Sequence, residues 1–302
     1  MPNLNLTNLP NLKSWLLSPA AGTPFTTNDD ATLNRLISAS STQIMQYLAR
    51  QTIFKNTVTN DVYTGNVNNS MLIQQWPVIT LNSLYINNVL IPQAANNTTS
   101  GWLLQPWDGF SSGRPQQLSL NGYSFLPGSC YGEAYYGGGS PYNSGFTRNS
   151  GGYSGAQNVV LNYVVGYCVQ GEATTIPATP FQYTALQQQG TWGQDDGLTI
   201  AGVAGVPVAS APTTGQYSVV NGLYTFAAAD VGKSVVLNYS YVPFALEQCC
   251  IGLAAEFYKY KPRIGQKSQS VGGSETSSYD LSGIPDRIKT ALAPYRSIIS
   301  KR

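Results

Sequence analysis

The sequence predicts an α+β protein, with a helical core and an antiparallel β-sheet, an inserted small all-β domain, and C-terminal helices. Three observations carry this expectation. Apolar residues recur at helical spacing towards both ends, at Leu33, Leu36, Ile37, Ile44, Tyr47 and Leu48, and again at Leu246, Cys249, Cys250, Leu253, Ala254, Phe257 and Tyr258. Between them lie short apolar or alternating runs punctuated by Asn, Gly and Pro, as strands joined by tight turns require. The pentapeptide Val-Val-Leu-Asn-Tyr occurs twice, at 159–163 and 235–239, closing each of two such β stretches.

Taken in order, Asn8 can cap a first helix, with Pro10 in its opening turn and Leu9, Leu12, Trp15 and Leu16 on one side, ending near Leu17. Asp29 is the candidate N-cap of the long helix that reaches Leu48. Strands are expected at 57–63, 70–74, 81–86, 89–91, 102–104 and 117–125, the last broken at Asn121-Gly122, a hairpin signal. The stretch 128–155 holds nine glycines and five tyrosines in 28 residues. Such a segment cannot bury a regular core; it reads either as a mobile surface loop or as a subunit or tail contact made through Tyr131, Tyr135, Tyr136 and Tyr142. The first domain is expected to span 1–171.

The inserted β domain is expected at 172–243, with strands at 197–201, 215–220, 222–226 and 233–241 and a second hairpin at Asn221-Gly222. Five charged residues (Glu172, Asp195, Asp196, Asp230 and Lys233) are all it carries, and they form no visible catalytic set. The third domain, 244–302, begins with a helix from Ala245 to Tyr258 that Pro262 must stop. A polar Ser/Gly segment follows, and Pro285 opens a last helix with Ile288, Leu292 and Tyr295 on one side.

Composition narrows the chemistry. Charged residues make up only 10% of the chain, against roughly 25% in an average soluble domain, so its polarity comes from amides and hydroxyls. Such surfaces suit burial against other subunits, and a plain β-rich secreted domain shares them. The absence of histidine removes Ser-His-Asp and Cys-His catalysis and His-ligated zinc. Cys130, Cys168, Cys249 and Cys250 lack metal or redox spacing, and the adjacent pair reads as buried thiols. The start lacks a signal-peptide pattern, and no apolar stretch approaches the roughly 20 residues of a membrane span, so a soluble protein without a membrane partner is expected. From Ala245 onward lie nine of the 16 cations but five of the 14 acids. That basic end suits an acidic protein surface or nucleic acid, and equally an ordinary solvated helix end.

The order of elements resembles the head-to-tail connector (adaptor) proteins of tailed bacteriophages. The similarity lies in the helix from Asp29 to Leu48, the run Gln75-Trp76-Pro77-Val78, the strands around Gly101-Trp102 and Leu118 to Gly128, and the strand ending Val165-Gly166-Tyr167. It continues in the helix from Ala245, in Arg263-Ile264-Gly265 with Ser270-Val271-Gly272-Gly273, and in the last helix. It covers roughly 200 residues flanking the insert. The 128–155 loop and the 172–243 unit depart from the family pattern.

The resemblance implies a virion structural protein without catalytic residues, metal ligands or cofactors. Its copies would form a ring, commonly a dodecamer, assembled in the host bacterial cytoplasm. The ring would join the portal protein to a tail or nozzle protein and make transient, non-specific contact with phage DNA. Portal docking is then expected of Lys261, Arg263, Lys267, Arg287, Lys289, Tyr295 and Arg296. The competing expectation is a β-rich carbohydrate- or receptor-binding phage protein stacking sugars on Trp102, Trp107 or Trp192. A glycosidase using Asp108, Asp195 or Asp196 is the remaining class, although Asp195-Asp196-Gly197 reads better as a turn.

Overall fold

The computed structural model describes residues 5–16, 27–65, 68–106, 116–125, 157–186, 189–260, 268–271, 275–278 and 283–297. Strand outweighs helix among these residues, 42% to 27%, which corrects the expected helical core. The helical stripes are conspicuous in sequence because their period is long and regular. The strands are short and scattered between turns, yet they fill two hydrophobic cores of their own.

The chain divides into two compact units, one formed by 1–56 with 166–297 and one built on 57–165. In the second unit lie β1 (Asn56–Thr64), β2 (Ser70–Leu72), β3 (Val78–Ile86), β4 (Val89–Ile91), β5 (Gly101–Pro106), β6 (Gln116–Asn121) and β7 (Gln157–Val165). One sheet has the order β1-β7-β3-β4 and the other β2-β6-β5. Their inner faces share a core that includes Ile73, Leu84, Leu118, Phe125, Leu161 and Tyr163, each essentially inaccessible to solvent.

The first unit contains β8 (Cys168–Thr175), β9 (Gln182–Thr184), β10 (Gly190–Ile200), β11 (Val203–Ala204), β12 (Val206–Pro207), β13 (Gln216–Val220), β14 (Leu223–Phe226) and β15 (Ser234–Pro243). Its sheets are ordered β11-β10-β15-β8 and β12-β13-β14-β9. β8 crosses the boundary expected at 171/172 and pairs with β15.

Laid side by side, the two units repeat one topology. In each, the first strand (β1 or β8) neighbours the last (β7 or β15), which neighbours the third (β3 or β10), which forms a hairpin with the fourth (β4 or β11). In each second sheet, the unit's second strand (β2 or β9) neighbours the penultimate one (β6 or β14), which pairs with the strand before it (β5 or β13). Only β12 is additional. The registers agree as well: Leu84 opposes Leu161 and Ile86 opposes Val159, while Leu198 opposes Leu237 and Ile200 opposes Val235. Both Val-Val-Leu-Asn-Tyr strands bury the first Val, the Leu and the Tyr and turn the second Val and the Asn away, the period-two alternation of a sheet with one buried face.

Among the described residues, four α-helices belong to the first unit: α1 (Leu9–Leu16), α2 (Asp30–Leu48), α3 (Phe244–Tyr260) and α4 (Asp286–Leu292). Asn8 caps α1 as expected, its Oδ1 accepting the Asn11 N–H at 2.9 Å. Asp29 precedes α2 in a short 3-10 turn and makes no side-chain cap. Leu12, Leu33, Ile37, Ile251 and Ala254 form the contact core of α1, α2 and α3. A two-stranded ribbon, β16 (Ser268–Val271) with β17 (Glu275–Ser278), precedes α4.

Candidate functional site

α4 is held in place by Ile284, Ile288 and Leu292, which recur every four residues and are buried. Its remaining faces carry part of the expected docking set. Arg287 bonds Glu256 of α3 at 2.6 Å, with both side chains substantially exposed. Lys289 bonds Asp286 at 2.8 Å within the helix. The Arg296 guanidinium lies 5.5 Å from the centre of the Tyr47 ring, within cation–π range. Exposed ion pairs of this kind contribute about 0–1 kcal/mol, so a partner's carboxylates can take these cations over at little cost.

Tyr295 is placed differently. Half-buried, it lies with its ring centre 6.1 Å from that of Tyr167 and serves the packing of α4's end. Lys261, Arg263, Lys267, Tyr131, Tyr135, Tyr136 and Tyr142 lie outside the described residues, as do Trp107 and Asp108.

Beside Arg287 runs a groove of about 590 Å³, absent from the sequence-based expectation. Its floor is the small-residue face of α3, including Ala245, Cys249, Gly252 and Ala255, and Trp15 of α1 forms one wall. Trp15 is 56% exposed, high for a tryptophan. Its membership of the apolar side of α1 is readable in the sequence, but that no neighbour covers it is not.

Among the expected sugar-stacking residues, Trp102 is buried in the core of its unit. Trp192 is partly buried and lines a separate polar cleft. Asp195 and Asp196 are held by hydroxyls: Tyr217 and Tyr224 donate to Asp195 at 2.5 and 2.9 Å, and Ser240 donates to Asp196 at 2.6 Å. Burial pushes the Asp196 carboxyl above the usual range, against the opposing pull of Ser240 and Lys55. The adjacent pair does not form the turn that Asp195-Asp196-Gly197 suggests; it lies within β10, opposite β15.

The arrangement around Asp195 recurs at two other carboxylates. Asp61 accepts from Tyr63 and Tyr163 at 2.8 and 2.5 Å, and Glu172 accepts from Tyr183 at 2.8 Å and from Tyr239. Burial is the first cause that raises Tyr63, Tyr163, Tyr217 and Tyr224 well above the ordinary phenol value. Burial also raises Tyr183 beside Glu172, so these phenols stay neutral and donate to the carboxylates inside the β units. Cys249 and Cys250 are buried free thiols, and burial pushes Cys250 up to about 12, away from nucleophilic use. No group of three metal-ligating side chains occurs among the described residues, and none of their helices is long and apolar enough to cross a membrane.

No family model matches the chain, and no curated protein matches it either.

Proposed function

We propose that the protein is a head-to-tail connector of a tailed bacteriophage, a non-catalytic virion component that assembles as a ring between the portal and a tail or nozzle protein. The observation that carries this reading is the order of elements: α2, a β unit whose last strand leads into Val165-Gly166-Tyr167, and, after the interposed strands β8 to β15, α3 and the closing helix α4. Low charge over 302 residues supports extensive burial of surface against other copies. A ring requires heterologous contacts, with one face of a subunit meeting a different face of the next.

In this reading the basic C-terminal region docks the portal through Lys261, Arg263, Lys267, Arg287, Lys289 and Arg296, with Tyr295 supporting α4. Tyr131, Tyr135, Tyr136 and Tyr142 contact a neighbour or the tail. Exposed cations that also face the channel give passing DNA weak, sequence-independent contacts.

The test is electron microscopy of the full-length protein mixed with its portal. Rings coaxial with the portal are expected, and their absence at saturating concentrations would overturn the reading. The double variant Arg287→Glu, Arg296→Glu should abolish coaxial complexes while the fold remains intact by circular dichroism. Undiminished docking of that variant would remove α4 from the portal interface.

A further inference from the structure

The first unit contains a cleft of about 370 Å³, lined by residues from the segment before α1, from α1 and α2, from β10 and β15, and from the β13–β14 turn. Its volume falls within the roughly 300–1,000 Å³ of small-ligand sites. Its chemistry is distinctive: Asn5, Asn8, Asn11, Asn34 and Asn221 line it together with Thr7, Thr191 and Trp192, and no charged side chain does.

Beneath this wall lies Glu247 of α3, which is only 6% exposed. Thr7 and Asn11 donate to its Oε1 at 3.1 and 2.6 Å, and Thr191 donates to its Oε2. Burying a carboxylate against neutral donors is expensive. The return is orientation, since three side chains of the cleft wall are fixed by one acceptor-only group.

Those bonds settle which way the amides face. Asn11 spends its Nδ2 on Glu247, which leaves Oδ1 as an acceptor. Asn8 spends its Oδ1 on the α1 cap, and Asn5 spends its Oδ1 on Ser38, so each retains an NH₂ donor. Asn34 and Asn221 are exposed at the rim. The cleft thus sets fixed donors and a fixed acceptor side by side, next to the partly buried indole of Trp192.

We propose that this cleft binds an uncharged saccharide. Each sugar hydroxyl both donates and accepts, so adjacent hydroxyls match a neighbouring amide donor and amide acceptor. The apolar face of the sugar suits the part of Trp192 that stays exposed, the rest of its side chain packing against the core of the β unit. A lining without charge selects against anionic sugars. An extended peptide adding to β10 as a new strand is disfavoured, because β10 already lies between β11 and β15 in its sheet. The inference is independent of the connector reading.

The test is saturation-transfer NMR and titration calorimetry of the full-length protein with maltotriose, cellotriose and triacetylchitotriose. A heparin trisaccharide and a Gly-Ser-Asn peptide serve as comparison probes. At least one neutral trisaccharide is expected to bind. The double variant Asn34→Ala, Asn221→Gly removes two exposed rim amides and should weaken that binding at least tenfold without lowering Tm. Three outcomes would overturn the proposal: no binding by any neutral trisaccharide, unchanged binding by the variant, or binding of only the heparin or peptide probe.

Discussion

Tyr163 and Tyr239 end the two copies of Val-Val-Leu-Asn-Tyr, and each donates its hydroxyl to a carboxylate on the first strand of its unit, Asp61 or Glu172. A hydrogen bond to a charged group contributes about 1.5–3 kcal/mol. Tyr163→Phe and Tyr239→Phe should each cost that much in urea denaturation, because the partner carboxylate loses a donor inside a packed unit. Burial raises the Tyr163 phenol and pushes Tyr241 up to about 12 from an ordinary 10.0. The unfolded chain therefore releases phenolic protons before the folded one does as pH rises. Stability should be complete below pH ~10 and fall steadily above it; denaturation midpoints that stay level from pH 9 to 11.5 would contradict this. Gly166 has a different constraint. Its φ is +129°, and a Cβ there would sit 2.5 Å from the backbone of Phe54. Gly166→Ala should cost about 4 kcal/mol or more, or prevent folding. The Gly-Tyr pair is visible in the sequence, but the backbone that crowds it lies more than a hundred residues earlier.

Turns show how local signals succeed and fail at the scale of elements. Asn221-Gly222 joins β13 to β14 with both residues at positive φ, the two-residue hairpin its sequence predicts. Asn121-Gly122 carries the same dipeptide but only ends β6, and the chain runs on until the Phe125 N–H bonds the Asn68 carbonyl. The dipeptide permits a reversal, and strand partners decide whether one occurs. Conversely, Ala201-Gly202 makes the β10–β11 hairpin although Ala201, at φ 50°, is poorly suited to it. The equivalent β3–β4 turn uses Asn87-Asn88, which tolerate positive φ. Ala201→Asn should accordingly stabilise the protein by about 1 kcal/mol, read as a higher denaturation midpoint. The helices were legible from period alone. β8 and β9 were not, because β8 alternates polar and half-buried residues and β9 has three residues.

For the molecule as a whole, the repeated pentapeptide marks a repeated architecture: two β units with matching strand order and matching register around Leu161 and Leu237. The sequences around the copies diverge, yet Leu84, Ile86 and Val89 stand where Leu198, Ile200 and Val203 stand in the other unit. The unit built on 57–165 has a complete core of its own. Residues 57–165 expressed alone should therefore unfold cooperatively in urea; a broad, non-cooperative transition would show that the core is insufficient. The helices, the positions of most strands, the buried thiols and the exclusion of histidine chemistry are legible in the chain alone, because they follow from local period and residue type. Tertiary structure alone decided the dominance of β-sheet, the pairing of β8 with β15, the three tyrosine–carboxylate clusters and the amide-lined cleft. Each depends on strands and side chains far apart in the chain, and no local pattern encodes which of them meet.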